Sequence, residues 1–235
     1  MLTPENRVVM ISGANRGIGL AIARLLSSSG YTLSLGCRDP AAVDETQFSG
    51  PTTIHQYDAG DPITANTWTE ATLEEFRRID AIVLNAGVML PVSLTDDNEK
   101  GLDHMWDVNF KGPLRLVQST LGALKESGNG RVITIVSLSG KRVMGSGNLG
   151  YSASKFAALS LTHAIRHEGW DAGVRATAIC PGLVETDMVS HVKAPSGEFK
   201  ITPETIAATT AYALSLPNSA AVAEILVNSR LEATF

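Results

Sequence analysis

Residues 7–30, RVVMISGANRGIGLAIARLLSSSG, join a short apolar run to a glycine-containing loop and then to a segment with helical spacing. The apolar run occupies the first six positions, and the helical segment ends at Gly30. The loop between them carries Gly13, Gly17 and Gly19 in a G-x-x-x-G-x-G arrangement. The stretch therefore predicts a strand, a tight loop and a helix in immediate succession.

Glycines in a first strand-to-helix loop have a chemical use as well as a structural one. They permit a tight turn and let the backbone approach a pyrophosphate, whose charge the N-terminus of the next helix stabilises through its N–H groups and dipole. The loop therefore predicts a dinucleotide site. The alternative is that the glycines serve only the close packing of a strand-to-helix crossover.

The same strand-then-helix order recurs along the chain. Apolar strand-like runs cover residues 7–12, 31–37, 52–57, 81–87, 131–137, 174–180 and 223–228. Helical patterns cover residues 18–30, 65–78, 99–127, 151–168 and about 203–216. Pro113 predicts a kink or register break in the longest of these, and the acidic run at 95–100 is predicted to cap its start. Seven apolar strands alternating with helices predict a doubly wound α/β fold, with a mostly parallel sheet covered on both faces.

Composition limits the classes of partner. At 235 residues the chain fits one domain, residues 1–235, and its net charge of −5 gives no general attraction to nucleic acid or to an anionic membrane. The first residues show no basic segment followed by a long apolar one, and no apolar run approaches the roughly 18 residues of a spanning helix. We therefore expect a soluble, cytoplasmic protein that acts on a small molecule.

The cysteines and clustered histidines do not indicate a metal site. Cys37 and Cys180 each end an apolar strand-like run, which predicts small buried thiols rather than a disulfide or metal ligands. His163 and His167 stand four residues apart beside Glu168, a spacing that a metal site can use. We do not favour a metal site at these residues.

Further motifs follow the glycine loop in a fixed order. They are NAG at 85–87, VNFKG at 108–112, IVSLSG at 135–140, YSASK at 151–155 and PGLVETDM at 181–188. With these motifs the chain resembles the short-chain dehydrogenase/reductase family over roughly residues 7–190, in its compact single-domain branch. The resemblance implies a Rossmann-type fold, a nicotinamide cofactor and the interconversion of a carbonyl and an alcohol.

The resemblance implies that Tyr151 is the acid/base of the reaction and that Lys155 assists it. Positions four apart share one face of a helix, so the lysine can lie beside both the phenol and the cofactor ribose. A cation about 4 Å away favours the phenolate by roughly 4 kcal/mol at an effective dielectric of about 20. That equals about three pKa units below the ordinary value of about 10, before desolvation offsets part of it. The alternative is a chance pair on a solvated helix face.

The resemblance adds a serine and an asparagine to the catalytic set. The serine hydrogen-bonds the substrate oxygen and stabilises the charge that develops there. The family usually places it thirteen residues before the tyrosine, whereas here Ser137 lies fourteen before Tyr151 and Ser139 twelve before it. We choose Ser137 because Gly140 then follows three residues later. Asn109 matches the member that fixes a helix kink and a water relay behind the lysine; the alternative is that it satisfies backbone groups near Pro113.

The end of the second strand bears on the choice of cofactor. An NAD site places a carboxylate there for the adenosine ribose, whereas an NADP site offers a guanidinium to the 2'-phosphate. Cys37 stands where the acid is expected, Arg38 follows, and Arg16 adds a second cation. NADP(H) is favoured, and NAD(H) stays possible if Arg38 instead pairs with Asp39 or Asp44. The full predicted cofactor set is Gly13, Asn15, Arg16, Gly17, Ile18, Gly19, Arg38, Asp58, Asn85, Ala86, Gly87, Tyr151, Lys155, Pro181, Gly182, Val184 and Thr186.

The predicted substrate pocket is mostly apolar, which favours a neutral, moderately hydrophobic ketone, aldehyde or alcohol. Its apolar candidates are Val88, Met89, Met144, Leu149, Leu183, Met188 and Val189, and its polar candidates are Ser139, Asn148 and His191. The segment at about 188–202 is predicted to be a mobile lid. We expect a homo-dimer or homo-tetramer, although the last strand lacks the D-G-G ending of many relatives. A catalytically silent redox sensor or partner-recruiting protein is the alternative function.

Overall fold

Seven strands form one parallel sheet in the order β3-β2-β1-β4-β5-β6-β7. The computed structural model describes residues 1–143, 145–190 and 199–231. The strands are Val8–Ser12 (β1), Thr32–Cys37 (β2), Thr52–Gln56 (β3), Ala81–Leu84 (β4), Arg131–Ile135 (β5), Arg175–Pro181 (β6) and Glu224–Val227 (β7). The predicted doubly wound, Rossmann-type fold is confirmed.

In the described ranges, six α-helices cover the two faces of the sheet. They are Gly17–Ser28 (α1), Thr64–Phe76 (α2), Glu99–Trp106 (α3), Gly112–Glu126 (α4), Leu149–Gly169 (α5) and Pro203–Ser215 (α6). Helices α1 and α6 pack together on one face, and α2, α4 and α5 pack on the other. Successive side chains of a strand point to opposite faces of the sheet. Ile11 packs in the core on the side of α1 and α6, and Met10 packs in the core on the side of α2, α4 and α5.

The order of the strands reverses between β1 and β4. The chain builds β2 and β3 on one side of β1 and then places β4 on its other side, with Ile11 in register with both Leu35 and Val83. Loops that leave two such strands diverge to opposite faces, so a crevice opens at the carboxyl edge of the sheet. The glycine loop and the NAG segment both lie at this edge.

The register break expected near Pro113 takes the form of a π-helical turn, Asp107–Lys111, between α3 and α4. Proline has no N–H to donate to the carbonyl four residues earlier, that of Asn109. Directly before the proline, the N–H of Gly112 bonds to the carbonyl of Asp107, which lies five residues back rather than the usual four. The single long helix predicted at 99–127 is therefore two helices joined by a turn.

The start of α3 is capped by an amide rather than by the acidic side chains of residues 95–100. The Asn98 side chain accepts a hydrogen bond from the N–H of Gly101 at 3.0 Å. Glu99 lies in the first turn, where its charge favours the helix dipole, while Asp96 accepts from the N–H of Ser93 in the preceding loop. The predicted cap exists, but Asn98 provides it.

The two cysteines are buried thiols, as predicted. Cys37 is the last residue of β2 and Cys180 the next to last of β6, and β1, β4 and β5 separate these strands in the sheet. Four interstrand steps of about 4.8 Å place them roughly 19 Å apart, beyond the reach of a disulfide. Within the described ranges, the side chains form no cluster suited to a metal ion, and no helix has the length and apolar content to cross a membrane.

Arg77 ends α2 in the left-handed conformation, with φ of 61°. Because that conformation costs an L-residue about 1 kcal/mol and costs glycine nothing, Arg77→Gly should raise the free energy of unfolding by about 0.5–1 kcal/mol. Glu74→Gly, inside the same helix, should lower it by about 1 kcal/mol. Urea unfolding of both variants checks the prediction, and a less stable Arg77→Gly protein would contradict it.

Candidate active site

The glycine loop follows β1 with a backbone that other residues adopt only under strain. Gly13 and Gly17 have φ values of 67° and 55°. A Cβ atom on Gly19 would lie 2.6 Å from the side-chain nitrogen of Asn85. The N-cap residue of α1, Arg16, makes no capping hydrogen bond through its side chain to the described residues. The first N–H groups of α1 therefore lie at the loop uncapped, as an anion site needs.

Asn85 and Ser12 connect the ends of β4 and β1. The Asn85 amide donates to the carbonyl oxygens of Ser12 and Gly13, at 2.9 and 3.1 Å. The Ser12 hydroxyl oxygen accepts from the N–H groups of Asn85 and Ala86, at 2.9 and 3.0 Å. These bonds hold the glycine loop against the NAG segment. Ser12 is not among the predicted site residues. The one feature of the sequence that could have indicated its role is its position directly before Gly13.

Helix α5 begins two residues before Tyr151 and is fixed there by close packing. A Cβ atom on Gly150 would lie 2.6 Å from Met105 and 2.8 Å from Val92. Val92 also forms an isolated backbone bridge with Asn148. The absence of a side chain at Gly150 thus lets the first turn of α5 approach α3 closely.

Lys155 is buried under Tyr151 on the same helix. Its Nζ atom donates to the carbonyl oxygen of Ile135 at 3.0 Å and lies 5.7 Å from the centroid of the Tyr151 ring. A Cβ atom on Gly87 would stand 3.5 Å from this Nζ. The ammonium group therefore lies between the end of β5, the NAG segment and the phenol.

Burial dominates the titration of both residues. It raises the pKa of Tyr151 to about 12, although a hydrogen bond with the Ser137 side chain acts in the opposite direction. Burial likewise lowers the pKa of Lys155 to about 8. The predicted lowering of the Tyr151 pKa by Lys155 is wrong for this structure, because desolvation outweighs a cation that is 5.7 Å from the ring centroid.

Ser137 is the serine that reaches the cavity. It caps the 3₁₀ turn Leu138–Gly140, and its hydroxyl oxygen accepts from the N–H of Ser139 at 3.1 Å. Ser137 and Tyr151 both line the cavity, whereas Ser139 is buried behind Ser137 and is not among the described lining residues. This geometry favours Ser137 over Ser139 as the catalytic candidate.

Asn109 is buried in the π-helical turn and connects three elements. Its side-chain oxygen accepts from the N–H of Val88 at 2.8 Å, and its nitrogen donates to the Val88 carbonyl at 2.8 Å and to the Ser154 hydroxyl at 2.9 Å. The backbone groups that it satisfies belong to Val88 rather than to residues near Pro113. Asn109 therefore holds the segment after β4 against α5.

A cavity of about 270 Å³ runs along the carboxyl edge of the sheet. Its lining includes nearly all of the predicted site: Gly13, Asn15, Arg16, Gly17, Ile18, Arg38, Asp58, Asn85, Ala86, Gly87, Ser137, Tyr151, Lys155, Pro181, Gly182, Val184 and Thr186. Gly19 and Asn109 are not part of this lining. The lining also includes residues that the sequence analysis did not select: Tyr57, Ala59, His104, Val108, Ile135, Val136 and Asp187.

The end of the cavity near β2 carries two exposed arginines in different situations. Arg38 forms no ion pair with any described residue, and Asp39 and Asp44 instead accept from backbone N–H groups of their own turns. Arg16 pairs with Asp187 at 3.4 Å across the mouth of the cavity. The surface pairing of Arg38 considered above is thus not found, and Arg38 is the cation with the fewer competing contacts.

The predicted substrate lining is only partly brought together. Val88, Met188 and Val189 line the cavity. The other described candidates, Met89, Ser139, Asn148, Leu149 and Leu183, do not. Met144 and His191 lie outside the described residues, as does most of the lid predicted at 188–202. Ile201, near the C-terminal end of that segment, forms a backbone bridge with Val184.

Comparison with known proteins decides the family. A family model described as short chain dehydrogenase matches residues 7–196. The chain belongs to the short-chain dehydrogenase/reductase family. The family predicted from the sequence motifs is thus confirmed.

Three relatives show how far the similarity of this family member extends. An agropine synthesis reductase of Rhizobium rhizogenes is 39% identical over 93% of the chain, but the chain spans only 51% of that relative. An oxidoreductase of Staphylococcus saprophyticus is 32% identical, over 97% of the chain and 99% of the relative. The solved structure of an alcohol dehydrogenase from Thermococcus sibiricus, complexed with 5-hydroxy-NADP, matches with a TM-score of 0.85 at 29% identity, over 97% of this chain and 99% of that one.

The buried ammonium of this short-chain dehydrogenase makes its stability depend on pH. Lys155→Met should raise the free energy of unfolding at pH 7 by about 1–3 kcal/mol, because it removes a buried charge. The folded pKa of Lys155, about 8, lies below its ordinary value of 10.5. The unfolded parent therefore binds more protons between these values, its stability rises with pH there, and the advantage of the variant shrinks.

Urea unfolding at pH 7 and at pH 10, without added cofactor, measures this effect. Lys125→Met is the matched control, because Lys125 pairs with Glu168 at the surface of α4 and α5. It should change the stability by less than about 0.5 kcal/mol at either pH. If Lys155→Met raised the free energy of unfolding equally at pH 7 and pH 10, the lowered pKa of Lys155 would be contradicted.

Proposed function

We propose that this short-chain dehydrogenase is an NADP(H)-dependent oxidoreductase that interconverts a ketone or aldehyde and an alcohol. The observation that carries the proposal is the convergence of Ser137, Tyr151 and Lys155 on one cavity whose other end holds the glycine loop and Arg38. A protein that only sensed the cofactor would have no use for a buried phenol and ammonium at the same cavity wall.

The residues present fit a nicotinamide dinucleotide. The positive φ angles of Gly13 and Gly17 and the uncapped start of α1 suit a pyrophosphate. Asp58 lines the adenine end, with one carboxylate oxygen held by the N–H of Gly60 at 2.9 Å. Pro181, Gly182, Val184 and Thr186 line the end next to Tyr151 and suit the nicotinamide amide. The bound cofactor supplies or accepts the hydride.

The proton is handled by the chain itself. With a pKa of about 12, Tyr151 is protonated at neutral pH and gives its proton to the carbonyl oxygen during reduction. Lys155 then stabilises the phenolate that forms, in a site where burial leaves their attraction poorly screened. The Ser137 hydroxyl donates to the same substrate oxygen and fixes its position. Asn109 holds the Gly87 segment and α5 in place around them.

Preference for NADP(H) is supported by the end of β2. An NAD site carries a carboxylate here, but this chain carries Cys37. Burial raises the pKa of its thiol, which favours the neutral form. Arg38 lies beside it and lines the cavity. The related alcohol dehydrogenase of Thermococcus sibiricus is described in complex with 5-hydroxy-NADP, which agrees with this proposal.

The substrate is a small molecule, and we propose a neutral, moderately apolar one from Val88, Met188 and Val189 at the cavity wall. No substrate is carried over from the agropine synthesis reductases, of whose length the chain spans about half. We further propose a homo-oligomer, and a cytoplasmic setting in which Cys37 and Cys180 stay reduced.

Arg38→Ala should remove most of the difference between the two cofactors. The parent should bind NADPH at least tenfold more tightly than NADH, because a charge-assisted contact with phosphate contributes roughly 1.5–3 kcal/mol. Fluorescence titration gives both dissociation constants. Arg24→Ala is the control, since Arg24 is bonded to Gln47 on the outer side of α1. Equal constants for the two cofactors in the parent would rule out the preference.

Tyr151 and Lys155 should behave as one unit. Tyr151→Phe should lower turnover by at least about a hundredfold, the usual contribution of a positioned acid/base, and leave NADPH affinity within a few-fold. Lys155→Met should lower turnover and also weaken cofactor binding. The double variant should be little worse than the worse single one.

Steady-state kinetics on a substrate found by screening carbonyls and alcohols with both cofactors tests this. Tyr212→Phe, at an exposed position on α6, is the control. Near-normal turnover of Tyr151→Phe would assign the proton to another group. Tight NADPH binding without turnover of any substrate by the parent would instead favour the redox sensor.

A further inference from the structure

The side chains of Glu224, Lys141 and His163 meet next to the turn that carries Ser137. Glu224, the first residue of β7, accepts from the Lys141 ammonium at 2.7 Å and lies 3.0 Å from the Nε2 atom of His163. The side chains of Glu224 and Lys141 are only 21% and 25% exposed. Their attraction is therefore less screened than that of an ordinary surface ion pair.

Lys141 directly follows the turn that presents Ser137. Its N–H donates to the carbonyl of Leu138 at 2.9 Å, and the N–H of Gly140 donates to the carbonyl of Ser137 at 2.9 Å. A movement of Lys141 is thus transmitted to Ser137 through two short backbone bonds. The Lys141 side chain connects this turn to β7.

His163 extends the connection to the catalytic helix. It lies on α5, two helical turns beyond Lys155. The turn and α5 are already in close contact, since a Cβ atom on Gly140 would lie 2.8 Å from the Lys155 carbonyl oxygen. The Glu224 carboxylate therefore bridges the element that carries Ser137 and the element that carries Tyr151.

The Glu224 carboxyl group is ionised at neutral pH. Burial opposes ionisation of Glu224, but the hydrogen bonds from Lys141 and His163 outweigh it and lower the pKa of the carboxyl group. A partly buried carboxylate with two donors has one favoured geometry, because each oxygen is committed to a different partner. It can hold the serine turn at a defined distance from α5.

We propose that Glu224 is a positioning residue, which acts through Lys141 to hold the Ser137 hydroxyl in line with Tyr151 at the substrate oxygen. The inference rests on the proposed oxidoreductase function. Misplacement of a reacting group by about 1 Å can cost a hundredfold in rate. Glu224 is not among the described residues that line the cavity, so its loss should affect the reaction and spare cofactor binding.

The chain offers a matched control for an ion pair that serves stability alone. Lys125 and Glu168 pair at 2.6 Å between α4 and α5, away from the serine turn. Like Glu224→Gln, Glu168→Gln removes the carboxylate of a lysine–glutamate pair, but this pair joins α4 to α5 and does not involve residues 137–141. It should leave kcat within about twofold of the parent.

Steady-state kinetics with NADPH and a carbonyl substrate tests the proposal. Glu224→Gln and Lys141→Met should each lower kcat by about 5- to 30-fold, with the KM for NADPH unchanged within about twofold. Lys141→Arg, which keeps the pair with Glu224, should stay within about threefold of the parent. In a Ser137→Ala background, Glu224→Gln should have almost no further effect.

An equal loss of kcat with and without Ser137, or weaker binding of NADPH by Glu224→Gln, would overturn the proposal. Hydrogen exchange gives a readout that does not depend on turnover. The amides of Gly140 and Lys141 should exchange faster in Glu224→Gln, while those in the middle of α5 should not change. Unchanged exchange in the turn would overturn the positioning role. A parent that turns over no carbonyl or alcohol would overturn only the proposed function.

Discussion

The hydrogen bonds from the Asn85 amide to the carbonyls of Ser12 and Gly13 are the interaction on which the site depends. They join β1 and β4 at the place where the strand order reverses and the loops diverge. Gly19 has no side chain at the point where α1 passes closest to Asn85. If this junction were wider, the first turn of α1 and the Gly87 segment would no longer face one crevice.

Burial sets the pKa values of Tyr151 and Lys155. The ammonium of Lys155 is removed from water and held by the carbonyl of Ile135, while the phenol of Tyr151 stays protonated. Desolvation destabilises the charged form of each group, and the same low dielectric strengthens the electrostatic interaction between them. In the proposed mechanism, the same burial that costs stability favours transfer of a proton from Tyr151.

Two groups of polar contacts hold α5 in place from opposite sides. On one side, the π-helical turn directs Asn109 inward, where its amide bonds both Val88 and Ser154 of α5. On the other side, the Glu224 carboxylate joins His163 of α5 to Lys141 beside the serine turn. Since α5 carries both Tyr151 and Lys155, these connections set the position of the reacting groups relative to the sheet.

Local sequence patterns were enough to predict the seven strands, the glycine loop and the placement of Tyr151 and Lys155 on one helix face. Each of these follows from local periodicity, or from residue types that one turn or one helix face requires. The raised pKa of Tyr151 and the pairing of Arg16 with Asp187 could not be predicted in this way. These depend on distances between residues far apart in the chain and on exclusion of water, which no local pattern records.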